Sequence, residues 1–359
     1  MPVDRTPFDP SLPLELARTI PNSWYFDTAV LERERRSVFG GTWQCVGRVE
    51  QVANAGDYLT ADIAGEPVLV VRGDDGVLRA FFNVCRHRAA PLLTEPCGTA
   101  TKLRCRYHGW TYDLAGRLRG TPEFEGVQEF EKDDHGLVGM TVSTWGPFVW
   151  VCAGEPREPL ADFLSPFPEW ADRRNAFANF EWHARREYNL ACNWKVYVDN
   201  YLDGGYHVNT VHPGLAGVLD YREYTTTAHG HTALQCSPLV PAEGEAGRTR
   251  VGDLAAYWWV FPNWMANLYD NAMDTNLVMP LGTDRCRVVF DFYFAADTPQ
   301  EFKNESVRVA EQVQVEDVGI CEEVQRGLRS SAFVSGRFSA KRENAGYHFH
   351  KLLAKHLTN

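Results

Sequence analysis

Four residues in two short segments have the types and spacing of metal ligands: Cys85 and His87 in FNVCRHRAAPLL, and Cys105 and His108 in LRCRYHGWTYD. The pattern is Cys-x-His, seventeen intervening residues, then Cys-x-x-His. A zinc site with two Cys and two His usually pairs like residues on each arm. Here each arm carries one of each. That mixture suits a two-iron cluster in which two thiolates hold one iron and two imidazoles the other. Tetrahedral zinc is the competing reading of the residue types.

A second constellation lies in NYLDGGYHVNTVH, residues 200 to 212, where His207 and His212 stand five positions apart. Two imidazoles and one carboxylate on one face make a non-haem iron site that leaves positions open for dioxygen. Five residues on an ideal helix rotate by ~140°, so the two rings do not share a face unless the helix ends. Pro213-Gly214 is such a stop, and an unwound last turn brings His212 beside His207. The carboxylate must come from elsewhere in the chain. Glu316, Asp317, Glu322 and Glu323 in VEDVGICEEVQRGL compete for the place. Val315, Val318, Val324 and Leu328 mark the expected buried side there. Asp317 lies beside that stripe and Glu323 away from it, although periodicity by itself does not choose.

The elements that must position these residues are of two kinds. Residues 13 to 40 have helical periodicity after a Pro-rich lead-in. From Trp43 to Cys152 the chain changes to short β-prone runs. Val68 to Arg72, GDDG, then Val77 to Phe82 is a hairpin signature, with Asp-Gly supplying residues that tolerate positive φ. Trp110 to Leu114 followed by AGRL reads as a second hairpin, and FVWVCAG as a closing strand. Each candidate ligand pair of the first constellation falls at a turn between such strands. Beyond Glu155 the texture is mixed: a helix over NWKVYVDNYLDGGYHV, a Trp-rich stretch YWWVFPNWMANLY, a strand CRVVFDFYFAA, and a long amphipathic helix from Glu301 to about Leu328. The expected class is α+β, a small all-β domain followed by a larger domain of antiparallel sheet with a long helix.

The bulk numbers fit this division. A chain of 359 residues with 44% hydrophobic and 13% aromatic content has more to bury than one core usually holds. A formal net charge of −11 argues against a nucleic-acid partner, which requires a basic footprint. The N-terminus has acidic residues and prolines in place of a basic and then apolar leader, and no run reaches the ~18 apolar residues of a membrane span. A cytoplasmic protein is expected. Nine cysteines scattered over this length look like thiols and metal ligands rather than a disulfide framework.

RCRYHGWTYDLAGRL and NVCRHRAAPL resemble the paired cluster motifs of Rieske oxygenase components. From Trp43 onward the chain resembles the Rieske-type non-haem iron oxygenase alpha subunits, and among them the choline monooxygenases, through DNYLDGGYHV, FPNWMANLYDNAMDTNLVMPLG, CRVVFDFYF, EDVGICEEVQRGLRSSAFVSGRFS and HFHKLL. The resemblance implies a Rieske [2Fe-2S] cluster on Cys85, His87, Cys105 and His108, and a mononuclear Fe(II) on His207, His212 and Asp317. It implies a Rieske domain over residues 43–155, a catalytic domain of helix-grip, START-like fold over 156–359, and an N-terminal helical arm, 1–42, packing on the latter. Trimers are common in the family, so that one subunit's cluster faces the next one's iron. Many members carry an acidic residue three positions before the first iron histidine to bridge the two centres. Here that position is Gly204; Asp203 stands one residue earlier, with Asp199 the next candidate.

No flavin or nicotinamide fingerprint is present, so electrons are expected from a ferredoxin or reductase. Between residues 85 and 120, Arg86, Arg88, Lys102, Arg104, Arg106, Arg117 and Arg119 face only Glu95 and Asp113, a basic patch able to steer an acidic donor. For the substrate, Trp258, Trp259, Phe261, Trp264 and Tyr269 offer aromatic faces for a quaternary ammonium. The resemblance implies hydroxylation of choline to betaine aldehyde through its hydrate. N-demethylation of a betaine- or carnitine-like compound, hydroxylation of an aromatic ring, and an electron-transfer protein without catalytic iron are the alternatives.

Overall fold

The computed structural model describes residues 8–212, 214, 217–240 and 244–358. Pro213, on which the expected helix stop rests, and residues 1–7 of the expected arm lie outside them. The chain divides into two compact units, Arg35–Ala161 and Met1–Glu34 with Asp162–Asn359.

The smaller unit is built on a seven-stranded antiparallel sheet of β1 (Gln44–Arg48), β2 (Asp57–Ile63), β3 (Glu66–Arg72), β4 (Leu78–Phe82), β5 (Cys97–Thr99), β9 (Gly139–Trp145) and β10 (Phe148–Cys152), in the order β1-β10-β9-β4-β3-β2-β5. The β3–β4 hairpin closes through Gly73 to Gly76, the GDDG turn, where Gly76 has φ +75°. A second, three-stranded sheet pairs β6 (Leu103–Arg104), β7 (Thr111–Tyr112) and β8 (Leu118–Gly120). Between the sheets lies one apolar cluster that includes Leu69, Phe81, Leu103, Trp110 and both Cys85 and Cys105. The small sheet thus acts as a lid that carries one loop onto the face of the large one.

In the larger unit, α1 (Thr28–Arg33) belongs to the arm, and α2 (Leu160–Phe163) and α3 (Phe167–Arg174) precede a seven-stranded antiparallel sheet. Its strands are β11 (Phe180–Leu190), β12 (Thr225–His229), β13 (Thr232–Pro238), β14 (Leu254–Val260), β15 (Trp264–Leu268), β16 (Ala272–Pro280) and β17 (Cys286–Ala295), ordered β11-β17-β16-β15-β14-β13-β12. From β12 onward each strand pairs with the next, a meander, while β11 closes beside β17. The long helix α7 (Gln300–Leu328) packs on β11, on α4 (Trp194–Tyr201), on the one-turn α5 (Val208–Val211) and on α6 (Glu245–Thr249); α8 (Asn344–Thr358) covers β12. The class is mixed α+β. Among the described residues no helix is long and apolar enough to cross a membrane.

Two details differ from the sequence expectation. The helix over 194–208 breaks at its glycines: α4 ends at Tyr201, and Gly204 and Gly205 adopt φ +71° and +70°, a region that disfavours any side chain. The break therefore precedes His207. The buried face of α7 is also not the valine stripe, since Val315 is 61% and Val324 44% exposed. Val307, Gln314, Cys321 and Leu328 are buried at intervals of seven, with Gln325. Two glutamines carry that face because each accepts a buried hydrogen bond: Gln314 from the Tyr197 hydroxyl at 2.6 Å, Gln325 from the Asn193 amide at 2.9 Å.

Candidate metal centres and cavity

The two loops of the smaller unit are copies of one design. In the first, Cys85 N–H donates to Ala90 O and Ala89 N–H to Cys85 O; in the second, Cys105 N–H donates to Trp110 O and Gly109 N–H to Cys105 O. The fourth residue after each cysteine is left-handed, Ala89 at φ +59° and Gly109 at +78°. Each cysteine is thus fixed at the base of a closed turn with a histidine two or three residues on. The first loop is also clamped by Asn83, whose side chain bonds Leu92 N–H, Leu93 N–H and Leu93 O.

Cys85 and Cys105 are each 2% exposed, and the His87 and His108 rings lie with centroids 4.6 Å apart. His87 stacks on Trp110, and its Nδ1 is buried without a hydrogen-bond partner. A buried ring nitrogen without a partner is costly unless something coordinates it. Burial raises the Cys85 thiol above its usual range, with the Tyr112 hydroxyl, 3.5 Å from its Sγ, acting the other way. Two thiols, two imidazoles and an unsatisfied nitrogen fit a cluster with mixed ligands.

In the larger unit His207 and His212 bracket α5 from its two ends: His207 is its N-cap, and His212, at φ −115° and ψ 77°, its C-cap. Their Nε2 atoms approach to 3.0 Å. Asp317 Oδ1 lies 3.2 Å from His212 Nε2 and 3.7 Å from His207 Nε2, so all three donors fall within 4.8 Å of one another. Asp317 is three residues after Gln314 and four before Cys321, on the buried face of α7. Both Nδ1 atoms are occupied by carboxylates, His207 by Asp203 at 2.5 Å and His212 by Glu316 at 2.8 Å. Those acceptors place a proton on each Nδ1 and leave two Nε2 lone pairs facing each other beside a carboxylate. Such a trio calls for a cation, and its donor set is that of a facial iron site. Asn200 donates to Asp317 Oδ1 at 2.7 Å and holds it in place.

The rival carboxylates are occupied elsewhere. Glu322 accepts from the Ala191 amide, and Glu323 is exposed beside Arg326. Asp199 binds the Tyr25 hydroxyl and His350. Asp203 accepts from the amides of Tyr206 and His207 as well as the His207 ring. A side chain at Gly204 would run into the Arg342 carbonyl, so no acid can stand three positions before His207 in this backbone. Glu316, a rival for the metal in the sequence, instead holds the His212 ring, and Asn200 had no signal beyond the polar face of α4.

A cavity of about 120 Å³ adjoins the trio, lined by His207, His212 and Asp317 together with Tyr201, Tyr224, Tyr257, Tyr269, Arg250 and Asp274. Tyr269 of the expected aromatic set lines it; Trp258, Trp259, Phe261 and Trp264 do not. All four are 3% exposed or less. Trp258 stacks on Phe167 at 4.4 Å, and Trp264 lies near the same ring, on the sheet face opposite to Tyr257 and Asn267. Trp259 and Phe261 sit under α8, against Phe349 and His356. Within the cavity, Asp274 Oδ2 accepts from Asn267 and Asn276. Burial outweighs those bonds and pushes the Asp274 carboxyl up to about 6.

Residues 42–131 match the Rieske [2Fe-2S] domain family and 177–359 the ring hydroxylating alpha subunit (catalytic domain) family. The chain is 39% identical to a chloroplastic choline monooxygenase of Arabidopsis thaliana, over 98% of this chain and 86% of that one. It is 32% identical to the carnitine monooxygenase oxygenase subunit of Escherichia coli K12, covering 94% of each. The crystal structure of the quaternary ammonium Rieske monooxygenase CntA with an inhibitor superposes with a TM-score of 0.89, at 29% identity and 99% coverage of both chains. Naphthalene 1,2-dioxygenase of Rhodococcus sp. shares the fold at 20% identity, covering 95% of each chain, with a TM-score of 0.79. The chain thus belongs to the Rieske non-haem iron monooxygenases, proteins that carry a Rieske cluster and iron.

Proposed function

We propose that this protein hydroxylates a small quaternary ammonium compound with dioxygen and electrons from a ferredoxin or reductase. The observation that carries this reading is the cavity itself: tyrosine rings and the half-buried Asp274 carboxylate beside the His207, His212 and Asp317 trio. Aromatic faces attract a desolvated ammonium by ~2 kcal/mol or more, and the carboxylate supplies the counter-charge. An aromatic hydrocarbon needs no carboxylate, which disfavours ring hydroxylation. The converging trio disfavours a pure electron carrier. The relatives named for choline and carnitine support the same head group.

Cys85, His87, Cys105 and His108 would hold the cluster, and His207, His212 and Asp317 a mononuclear Fe(II). Bound there, these groups supply electrons singly and open positions for reducing dioxygen. One substrate C–H, O2, two electrons and two protons then yield a C–OH and water. Hydroxylation of an alcohol carbon gives an aldehyde hydrate, and hydroxylation of an N-methyl group releases formaldehyde.

Each residue around the trio has a distinct task. Tyr257 and Tyr269, their hydroxyls 3.3 Å apart, present rings to the cation. Asp203 and Glu316 fix the Nδ1 protons of the two histidines, and Asn200 fixes Asp317. Asp203 also stands where the family's bridge between centres is expected, one residue early because Gly204 cannot carry a side chain. A solved relative transfers electrons between subunits, which supports a homo-oligomer here, and the family's common trimer is the form we propose. Arg86, Arg88, Lys102, Arg104 and Arg106 are exposed, whereas Arg117 and Arg119 are paired with Asp113 at 2.9 and 2.7 Å; the first five form the docking patch for the donor. The scattered thiols support a reducing compartment such as the cytoplasm.

The test is a substrate panel of choline, glycine betaine, carnitine and simple aromatic acids given to reconstituted protein, scoring product and oxygen uptake. Turnover of aromatic acids with none of the ammonium compounds would sink the reading.

A further inference from the structure

We infer that the substrate is a zwitterion, a short trimethylammonium carboxylate, and that Arg250 is the residue that holds its carboxylate end. This rests on the quaternary ammonium reading above and narrows it. Arg250 follows α6 and lines the same cavity as Asp274 and the trio. Its Nε donates to the Tyr269 hydroxyl at 3.2 Å, and its guanidinium carbon lies 5.7 Å from the Tyr269 ring centroid. Among the described residues no carboxylate lies within ion-pairing distance of it. Asp274, the lining acid that neither the trio nor a histidine engages, turns its Oδ2 to two asparagine amides instead.

A guanidinium is charged at all working pH and offers five N–H donors. Tyr269 takes one and leaves the planar fork of the two terminal nitrogens to the cavity. That fork matches a carboxylate in two parallel hydrogen bonds. Of the other acids that line the cavity, Asp317 belongs to the trio and Asp203 is held by the His207 ring, so Arg250 and Asp274 are the two charges left to face a substrate. A lone cation such as choline gains from Asp274 but meets the charge of Arg250 as well. A molecule with a trimethylammonium at one end and a carboxylate at the other satisfies both. The tyrosines lie between these demands: Tyr269 touches Arg250 directly, and Tyr257 touches Tyr269, so the aromatic wall and the guanidinium form one connected surface.

The experiment measures Kd and KM for choline, glycine betaine, L-carnitine and γ-butyrobetaine on the iron-loaded protein, in the wild type, Arg250→Gln and Arg250→Lys. The neutral isostere 3,3-dimethylbutanol serves as a control. At least one zwitterion is expected to bind the wild type ~10-fold or more tightly than choline. Arg250→Gln should cost that zwitterion ~10–100-fold and tighten choline, and Arg250→Lys, which keeps the charge without the fork, should fall between. Wild-type preference for choline over every zwitterion, or equal losses of choline and zwitterion in Arg250→Gln, overturns the inference while leaving the quaternary ammonium reading intact. If the neutral isostere binds as well as all four ammonium compounds, the underlying reading fails, and the inference with it. The wild-type comparison needs no variant to fold, and an unchanged Rieske absorption spectrum together with an unchanged Tm identifies the variants that do.

Discussion

In the smaller unit all four candidate ligands stand on two copies of a single loop closure, Cys85 N–H to Ala90 O and Cys105 N–H to Trp110 O. In the larger unit the three candidate ligands come from both ends of a one-turn helix and from α7, with 104 residues separating His212 from Glu316 beside Asp317. The first site is local and repeated. The second exists only when α7 is docked on α4 and α5. The outer partners differ too. A tyrosine hydroxyl and backbone amides surround Cys85, while carboxylates grip both histidines of the trio. Short loops suit a cluster that must be held in one state, and packed helices suit a metal whose ligands need tuning from behind.

The strongest test of that contrast is Asp317→Ala. It should abolish hydroxylation and remove one iron per chain, leaving the Rieske absorption and electron paramagnetic resonance signals intact. Loss of those signals as well would show that the two sites are not independent. A smaller effect is expected behind the ligands. Asp203→Asn and Glu316→Gln should each weaken mononuclear iron binding ~10–100-fold, measured by competition with a chelator. If neither moves it, the carboxylates are bystanders and the contrast fails on its second point.

Asp274 sharpens the comparison through stability. Its folded carboxyl titrates at about 6, above the unbound 3.8, so the protonated form is favoured by folding. The associated stability is complete below pH 3.8 and is lost as pH rises through 6. At neutral pH the half-buried charge therefore costs the larger unit on the order of 1–3 kcal/mol. Asp274→Asn should raise Tm at pH 7.5, flatten its pH dependence, and weaken ammonium binding ~10-fold. A lower Tm would mean that the carboxylate is structural. The smallest effect belongs to the smaller unit: Tyr112→Phe removes the hydroxyl beside Cys85 Sγ and should lower the cluster's reduction potential by ~30–60 mV, the equivalent of one hydrogen bond, with iron affinity in the other unit unchanged.

The same contrast explains what could be read in advance. The β-rich half and its ligand pairs were legible because a turn of a few residues holds each pair, and sequence spacing reports turns directly. The nearness of His207 and His212 was legible, and α5 does end at His212; the further break at Gly204 and Gly205 was not, because a left-handed backbone leaves only a weak mark in sequence. The face of α7 was misread because hydropathy cannot register a buried Gln314 whose partner, Tyr197, lies over a hundred positions away. Of the aromatic rings the sequence offered for the cavity wall, Tyr269 stands there, whereas Trp258, Trp259, Phe261 and Trp264 do not. A wall that must also take hydroxyl contacts and face a charge is made of tyrosines, and Phe261 and the three tryptophans went to the core.

Glu316 and Asp317 follow one another on α7, and consecutive residues point ~100° apart around a helix axis. They nevertheless reach the two nitrogens of the same His212 ring, Glu316 at Nδ1 and Asp317 at Nε2. The imidazole is therefore a key in a keyway. Any roll of α7 draws one carboxylate in as it carries the other off, so a single ring sets the angular position of a 29-residue helix. Mutations that roll the helix, even at its far end, would detune the iron and unseat the ring in one motion.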